Sequence, residues 1–217
     1  MHPTLLRFSL ACAVAVPLAY FGAQVLGAAF YPGFSVLRDV ASLLGSDRST
    51  APALFNTAVY GVALISLLGA PGLGWGVAGA LRNQGEDAAL RGGGAPAWRA
   101  VGSGLLAAAC VASFGLASAW AATYPLPDPR HNPGALGAGM FAAPFVALAI
   151  ALQLKDARAL RWVCAACVLG FFAVAGVYSD LIPLDRAAYN GLLQRVGALV
   201  MLVPLAVVAG WTNGRTV

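Results

Sequence analysis

"YNGLLQRVGALVMLVPLAVVAGW", residues 189–211, carries a single charge, Arg195, in a run made almost entirely of Leu, Val, Ala, Gly and Met. A helix needs about 20 consecutive apolar residues to cross the hydrocarbon core of a bilayer. The stretch therefore reads as a membrane span. The remainder of the chain agrees, with 60% hydrophobic and 10% charged residues and a mean hydropathy of +0.78. Soluble domains carry about 25% charged residues.

Six such runs are expected, at about 5–30, 54–80, 100–123, 135–153, 160–178 and 189–211. Residues 1–217 then form one domain, an all-α integral membrane protein built as a six-transmembrane-helix bundle. The first run follows Arg7, as a secretory signal would, but it is too long for a signal core. It is expected to be a retained helix. The 26 glycines lack a collagen repeat and fall inside apolar runs, where small residues let membrane helices approach closely.

Charge sets the expected orientation. With both termini on one side, that side holds Arg7, Arg82, Arg91, Arg99, Lys155, Arg158, Arg161 and Arg215 against Glu86, Asp87 and Asp156. The other side holds Arg38, Arg48, Arg130, Arg186 and Arg195, balanced by Asp39, Asp47, Asp128, Asp180 and Asp185. The positive-inside rule makes the first side cytoplasmic, with the odd-numbered loops facing the periplasm or exterior. The excess charge is spread over short loops, so it speaks for topology and against nucleic-acid binding. The stretch 81–99 is rich in Gly and polar residues and reads as a flexible link.

Three signals are discounted. "GWGVAG" (74–79) matches GxGxxG, but no strand precedes it and it lies inside a span. Gly72 and Gly76 there read better as a small-residue helix contact. Cys164 and Cys167 form a CxxC within a span, and packing explains them more simply than redox chemistry or a metal. Haem held by two His ligands is excluded, because His131 is the one internal His. No metal or cofactor is expected.

The chemistry concentrates in the odd loops. "TYPLPDPRHNPGALGAG" (123–139) is stiffened by Pro125, Pro127 and Pro129, with Asn132 placed to cap the fourth helix and Pro133 at its first position. A helix N-terminus with Arg130 and His131 before it attracts an anion. Loop one (31–56) alternates apolar and polar residues, which suits a short amphipathic helix at the membrane surface. Asp39 and Ser42 share a face of it. Arg195 sits within a span, where a charge is costly and marks a site with a partner; Asp180, Asp39 and Asp185 are the candidates.

Three segments together resemble the bacterial six-helix membrane proteins of domain-of-unknown-function family 998. They are "DVASLLGSDRSTAPALFNTAVYGVALI" (39–65), the loop at 123–139, and "NGLLQRVGALVMLVPLAVVA" (190–209). The resemblance picks out Ser42, Gly45, Asn56, His131 and Arg195. The family often has a second His soon after the first; Leu136 and Gly137 stand in that region here. No activity follows from the resemblance.

The expected protein is thus a bacterial inner-membrane bundle with an outward polar pocket. It is expected to bind a lipid head group or a small amphiphilic anion through Arg195, His131, Arg130, Asp180, Asp39, Ser42 and Asn56. Membrane lipids would be its partners. The alternatives are an intramembrane lipid hydrolase or acyl transferase, with His131 as base, Asp180 orienting it and Ser42 or water as nucleophile, and a structural subunit of a membrane complex. Transport ranks below these, because midplane acids are absent. The topology is testable. In a cysteine-free background, Asp47→Cys should react with a membrane-impermeant maleimide added outside intact cells. Labelling only after the cytoplasmic face is exposed would reverse the orientation.

Overall fold

The computed structural model describes residues 1–89, 96–132 and 134–215. Six helices alternate in direction: α1 (Pro3–Ala28), α2 (Pro52–Ala89), α3 (Ala97–Thr123), α4 (Ala138–Gln153), α5 (Arg158–Tyr178) and α6 (Arg186–Asn213). Among the described residues there is no strand. Five helices are long and apolar enough to cross a membrane, and α4 is the shorter sixth. This is a multi-pass helical membrane protein.

α6 is the hub, packing against α1, α2, α4 and α5. Leu193, Gly197, Met201, Leu205 and Ala209 recur every fourth residue along it, and all are buried. Apolar surface gains little by leaving lipid, so close packing and internal hydrogen bonds must hold such a bundle. The glycines show how close the packing is. A Cβ on Gly104 of α3 would lie 2.3 Å from the Gly74 carbonyl oxygen of α2. The expected Gly72 and Gly76 contact is present, with Gly72 against Ser9 and Gly76 against Leu10 and Thr212. "GWGVAG" is therefore helix-packing surface. Cys164 and Cys167 are buried free thiols.

Several expectations need correction. α2 continues through Ala89 instead of ending near 80, so much of the expected flexible link is helix. Residues 90–95, Arg91 among them, lie outside the described residues. Loop one does not form a surface amphipathic helix. Its one regular piece is a 3-10 turn, Ala41–Gly45, and Leu44 is fully buried with Phe55, Val59 and Val62. The turn plugs the bundle because its apolar residues have helices to meet.

α4 starts at Ala138 with Gly137 as its cap, not near Asn132. Asn132 Oδ1 instead accepts from the Gly134 amide at 3.4 Å, and Pro133 lies outside the described residues. The capping comes from a neighbouring helix. Ser113 Oγ of α3 accepts from the Gly139 amide at 3.0 Å and donates to the Leu136 carbonyl at 2.5 Å. A Cβ on Gly139 would sit 2.8 Å from Ser113 Cβ, so glycine permits this approach. The 16 residues of α4 rise only about 24 Å, against about 30 Å for a hydrocarbon core.

At the other end of α4, Arg161 donates to the Ala151 carbonyl at 3.0 Å and the Leu154 carbonyl at 2.5 Å. Ser9 plays a similar part for α2. Pro71 brings no N–H to that helix, which weakens the turn before it. Ser9 Oγ accepts from the Gly72 amide at 2.9 Å and donates to the Leu68 carbonyl. Ser9→Ala should destabilise the bundle by about 1 kcal/mol. The penalty should shrink in a Pro71→Ala background, where α2 can close its own ladder. Thermal unfolding of the four-variant cycle in detergent checks both outcomes; equal penalties in the two backgrounds would remove the link to Pro71.

Candidate functional site

Loops one, three and five meet at one end of the bundle, as the antiparallel order requires. Loop one is anchored first to the end of α1. The Phe30 carbonyl accepts from the Thr50 amide at 2.8 Å, from Thr50 Oγ1 at 2.8 Å and from Ser49 Oγ at 3.2 Å. It is then anchored to α6. Arg195 Nη1 donates to the carbonyls of Val36 at 2.9 Å, Asp39 at 2.9 Å and Gly191 at 2.8 Å. Its guanidinium carbon lies 5.3 Å from the centre of the Phe34 ring. Gly191 makes this docking possible, since a Cβ there would be 2.5 Å from the Asp39 carbonyl oxygen. The Ala41 amide donates to Gln194 Oε1 at 2.6 Å, and Asn56 Nδ2 donates to the Gly45 carbonyl at 3.0 Å.

The expected acidic partners of Arg195 are engaged elsewhere. Asp39 Oδ2 accepts from the Ser35 amide at 2.7 Å. Asp180, at a positive φ of 61°, pairs with Arg186 at 3.0 Å and is exposed. Asp185 caps α6 by accepting from the Ala187 and Ala188 amides. Arg195 therefore acts as the clamp of loop one, with backbone carbonyls as its partners.

Loop three folds back on the end of α3. Trp120 Nε1 donates to the Arg130 carbonyl at 2.9 Å, and the His131 amide donates to the Asp128 carbonyl at 2.9 Å. His131 Nδ1 is 2.7 Å from the Tyr124 carbonyl. A carbonyl only accepts, so Nδ1 carries the proton and Nε2 is left for other work. Arg130 is exposed, lies 4.1 Å from the Tyr124 ring centre and pairs with Asp128 at 2.7 Å. The hydrogen bonds from Arg130 hold the Asp128 carboxyl down at about 2, against an ordinary 3.8. A carboxyl depressed in this way keeps its contribution above the ordinary range and loses it only as the pH falls toward 2.

These loops enclose a cavity of about 280 Å³ between α2, α3, α4 and α6. Of the expected site residues, Ser42, Asn56 and His131 line it. Arg195, Arg130, Asp39 and Asp180 do not. No hydrogen bond or ion pair joins His131 to Asp180 among the described residues, because the Tyr124 carbonyl orients the imidazole instead. Tyr20, Ser118 and Gln194 complete the polar lining. Tyr20 and Ser118 went unread in the sequence. Their signal was isolated polarity inside the loop-side half of an apolar helix, which ordinary core packing mimics. Five residues of this lining, Tyr20, Phe114, Met140, Phe141 and Gln194, also line a second cavity of about 710 Å³ between α4, α5 and α6. That neighbour is apolar, with Phe171, Val174 and Met201 in its walls.

The fold defines a helical, multi-pass membrane protein, and its smaller cavity, largely apolar with a few polar side chains, shares a wall with a larger apolar one. The family model described as a protein of unknown function (DUF998) matches residues 13–211, and the chain belongs to that family. No curated protein and no solved structure matches it.

The clamp has a measurable consequence. Arg195→Gln removes the shared donor of three carbonyls and should cost about 2 kcal/mol of stability. Loop one should then be cut faster by an added protease. Cleavage within 31–51 at the wild-type rate would show that the loop is held without Arg195.

Proposed function

We propose that the two cavities form one binding site for an amphiphile whose head group is uncharged and whose tail is apolar. The supporting observation is the set of polar atoms left over once the fold has taken its share. Ser42, Ser118, Asn56, His131 and Gln194 line the smaller cavity. Ser42 Oγ, Ser118 Oγ, His131 Nε2 and Gln194 Nε2 have no hydrogen-bond partner among the described residues, while Asn56 Oδ1 is packed against Gly45. Among its lining residues there is no Asp, Glu, Lys or Arg. Arg130, expected to hold an anion, is paired with Asp128, and Arg195 uses Nη1 on three carbonyls. Its Nη2 stays buried without a partner, but Arg195 is not among the lining residues of this cavity. Hydroxyl, ester or amide groups suit such a lining better than a phosphate, which calls for cations or free amides. The apolar cavity beside it takes the tail, as small-molecule sites do with a few polar groups in apolar walls. In this reading the site opens on the side with balanced charge, away from the cytoplasm of a bacterial inner membrane.

A second reading is favoured by the His131 geometry. Nδ1–H is fixed by the Tyr124 carbonyl, so Nε2 faces the work of a general base in the cavity that Ser42 also lines. An intramembrane acyl hydrolase or transferase would use Ser42 or a water as nucleophile, with a carbonyl in place of an orienting carboxylate.

A photoactivatable monoacylglycerol tests both. It should crosslink to wild type in proteoliposomes, at residues of α4 and α6. Ala121→Phe, which fills the smaller cavity, should reduce crosslinking at least tenfold while the thermal transition stays in place. Equal crosslinking in both would remove the site. His131→Ala separates the readings. A modest loss of crosslinking supports binding, whereas retained crosslinking with loss of acyl release from the same probe supports the enzyme.

A further inference from the structure

A different cavity occupies the opposite end of the bundle. It has a volume of about 420 Å³ and lies between the end of α2, the start of α3 and the turn joining α4 to α5. Arg82, Arg99 and Lys155 line it together with Gln84, Gln153 and Glu86. All three cations are exposed, and none makes an ion pair with any residue whose side chain is described, a set that excludes 87–95. At the other end Arg130 and Arg186 each have an Asp partner, while Arg38, Arg48 and Arg195 make no ion pair among the described residues.

The arrangement is braced. Gln84 Oε1 accepts from the Lys155 amide at 3.0 Å, which joins α2 to the α4–α5 turn. Arg82 Nε donates to the Ala78 carbonyl of its own helix at 3.4 Å, and its terminal amines make no bond to a described side chain. α3 begins at this cavity with no side-chain cap and no acid in its first turn. Its N-terminal dipole therefore adds to the three cations. Leu81, Ala97 and Ala100 give the cavity an apolar wall. Trp98, beside Arg99 and 70% exposed, has the placement of an interfacial aromatic.

We propose that this cavity binds the phosphodiester head group of an anionic phospholipid. Arg82, Arg99 and Lys155 surround the phosphate, and the first turn of α3 faces it. The acyl chains run along the exposed apolar side of α3, where Val101 and Leu105 lie. Glu86 accepts from a hydroxyl on the head group, which favours a glycerol head group over a bare phosphate monoester. The site is independent of the one between loops one and three and requires a different lipid class.

The test uses full-length protein in nanodiscs of equal phosphatidylglycerol and phosphatidylcholine, with retained lipid counted by native mass spectrometry. Wild type should retain phosphatidylglycerol preferentially. Each cation removed should cost about fivefold in that preference. Arg82→Gln with Arg99→Gln and Lys155→Gln should abolish it, whereas Arg158→Gln, at the same end but outside the cavity, should leave it intact. Thermal unfolding in detergent checks that the triple variant is folded; if it is not, the three single variants are read instead. An unchanged preference in those variants, or an equal loss with Arg158→Gln, would overturn the proposal. Displacement of phosphatidylglycerol by an equal concentration of inorganic phosphate would also overturn it, by assigning the site to a free anion.

Discussion

A backbone amide or carbonyl inside a bilayer has no water to bond with, and an unmet one costs several kcal/mol. Every departure from regular helix in this protein must be met from within the chain. Ser9 serves the turn of α2 ahead of Pro71. Ser113 caps α4 from the neighbouring helix. Arg161 takes carbonyls at the other end of α4. Arg195 gathers three carbonyls where loop one enters the bundle. The cost of an intramembrane charge is offset in this last case in part by these carbonyls, which take Nη1, while Nη2 stays buried without a partner. An intramembrane Arg is by default a functional candidate, but a guanidinium also suits several carbonyls at once, because it offers five donors in a fixed fork.

That accounting also defines the site. The proposed ligand groups are those the fold does not consume. His131 uses one ring nitrogen to hold the loop and keeps the other. Gln194 places one end of its amide on backbone and has no partner for the other, and Asn56 holds the Gly45 carbonyl beside the same cavity. A short α4 and a folded-back loop three form the cavity wall, so the feature that prevents α4 from spanning on its own is the feature that makes space.

The two ends of the bundle differ in kind. One pairs two of its Arg residues with Asp and borders a largely apolar cavity that carries a few polar side chains. The other leaves its cations unpaired among the described residues and faces them toward a shared hollow. The first arrangement suits a neutral amphiphile, and the second suits a phosphate.

Much of the fold was legible in the chain. A run such as 189–211 has no stable alternative to a membrane helix, because apolar length and absence of charge are local properties. Helix number and the small-residue contact at Gly72 and Gly76 came from such properties, whereas Asn56 was picked out only by the family resemblance, alongside Ser42 and His131. The start of α4 did not, since Asn132 and Pro133 carry a good local capping signal that Ser113 on another helix overrides. Nor did the partner of Arg195, for a charge invites an opposite charge in sequence, whereas the carbonyls of Val36 and Asp39 leave no mark in residue type. The sequence by itself determined the solvent, the spans and the supply of polar groups. Only the tertiary structure decided which of those groups the fold would use and which would remain for a ligand. That choice depends on backbone acceptors brought together from distant parts of the chain.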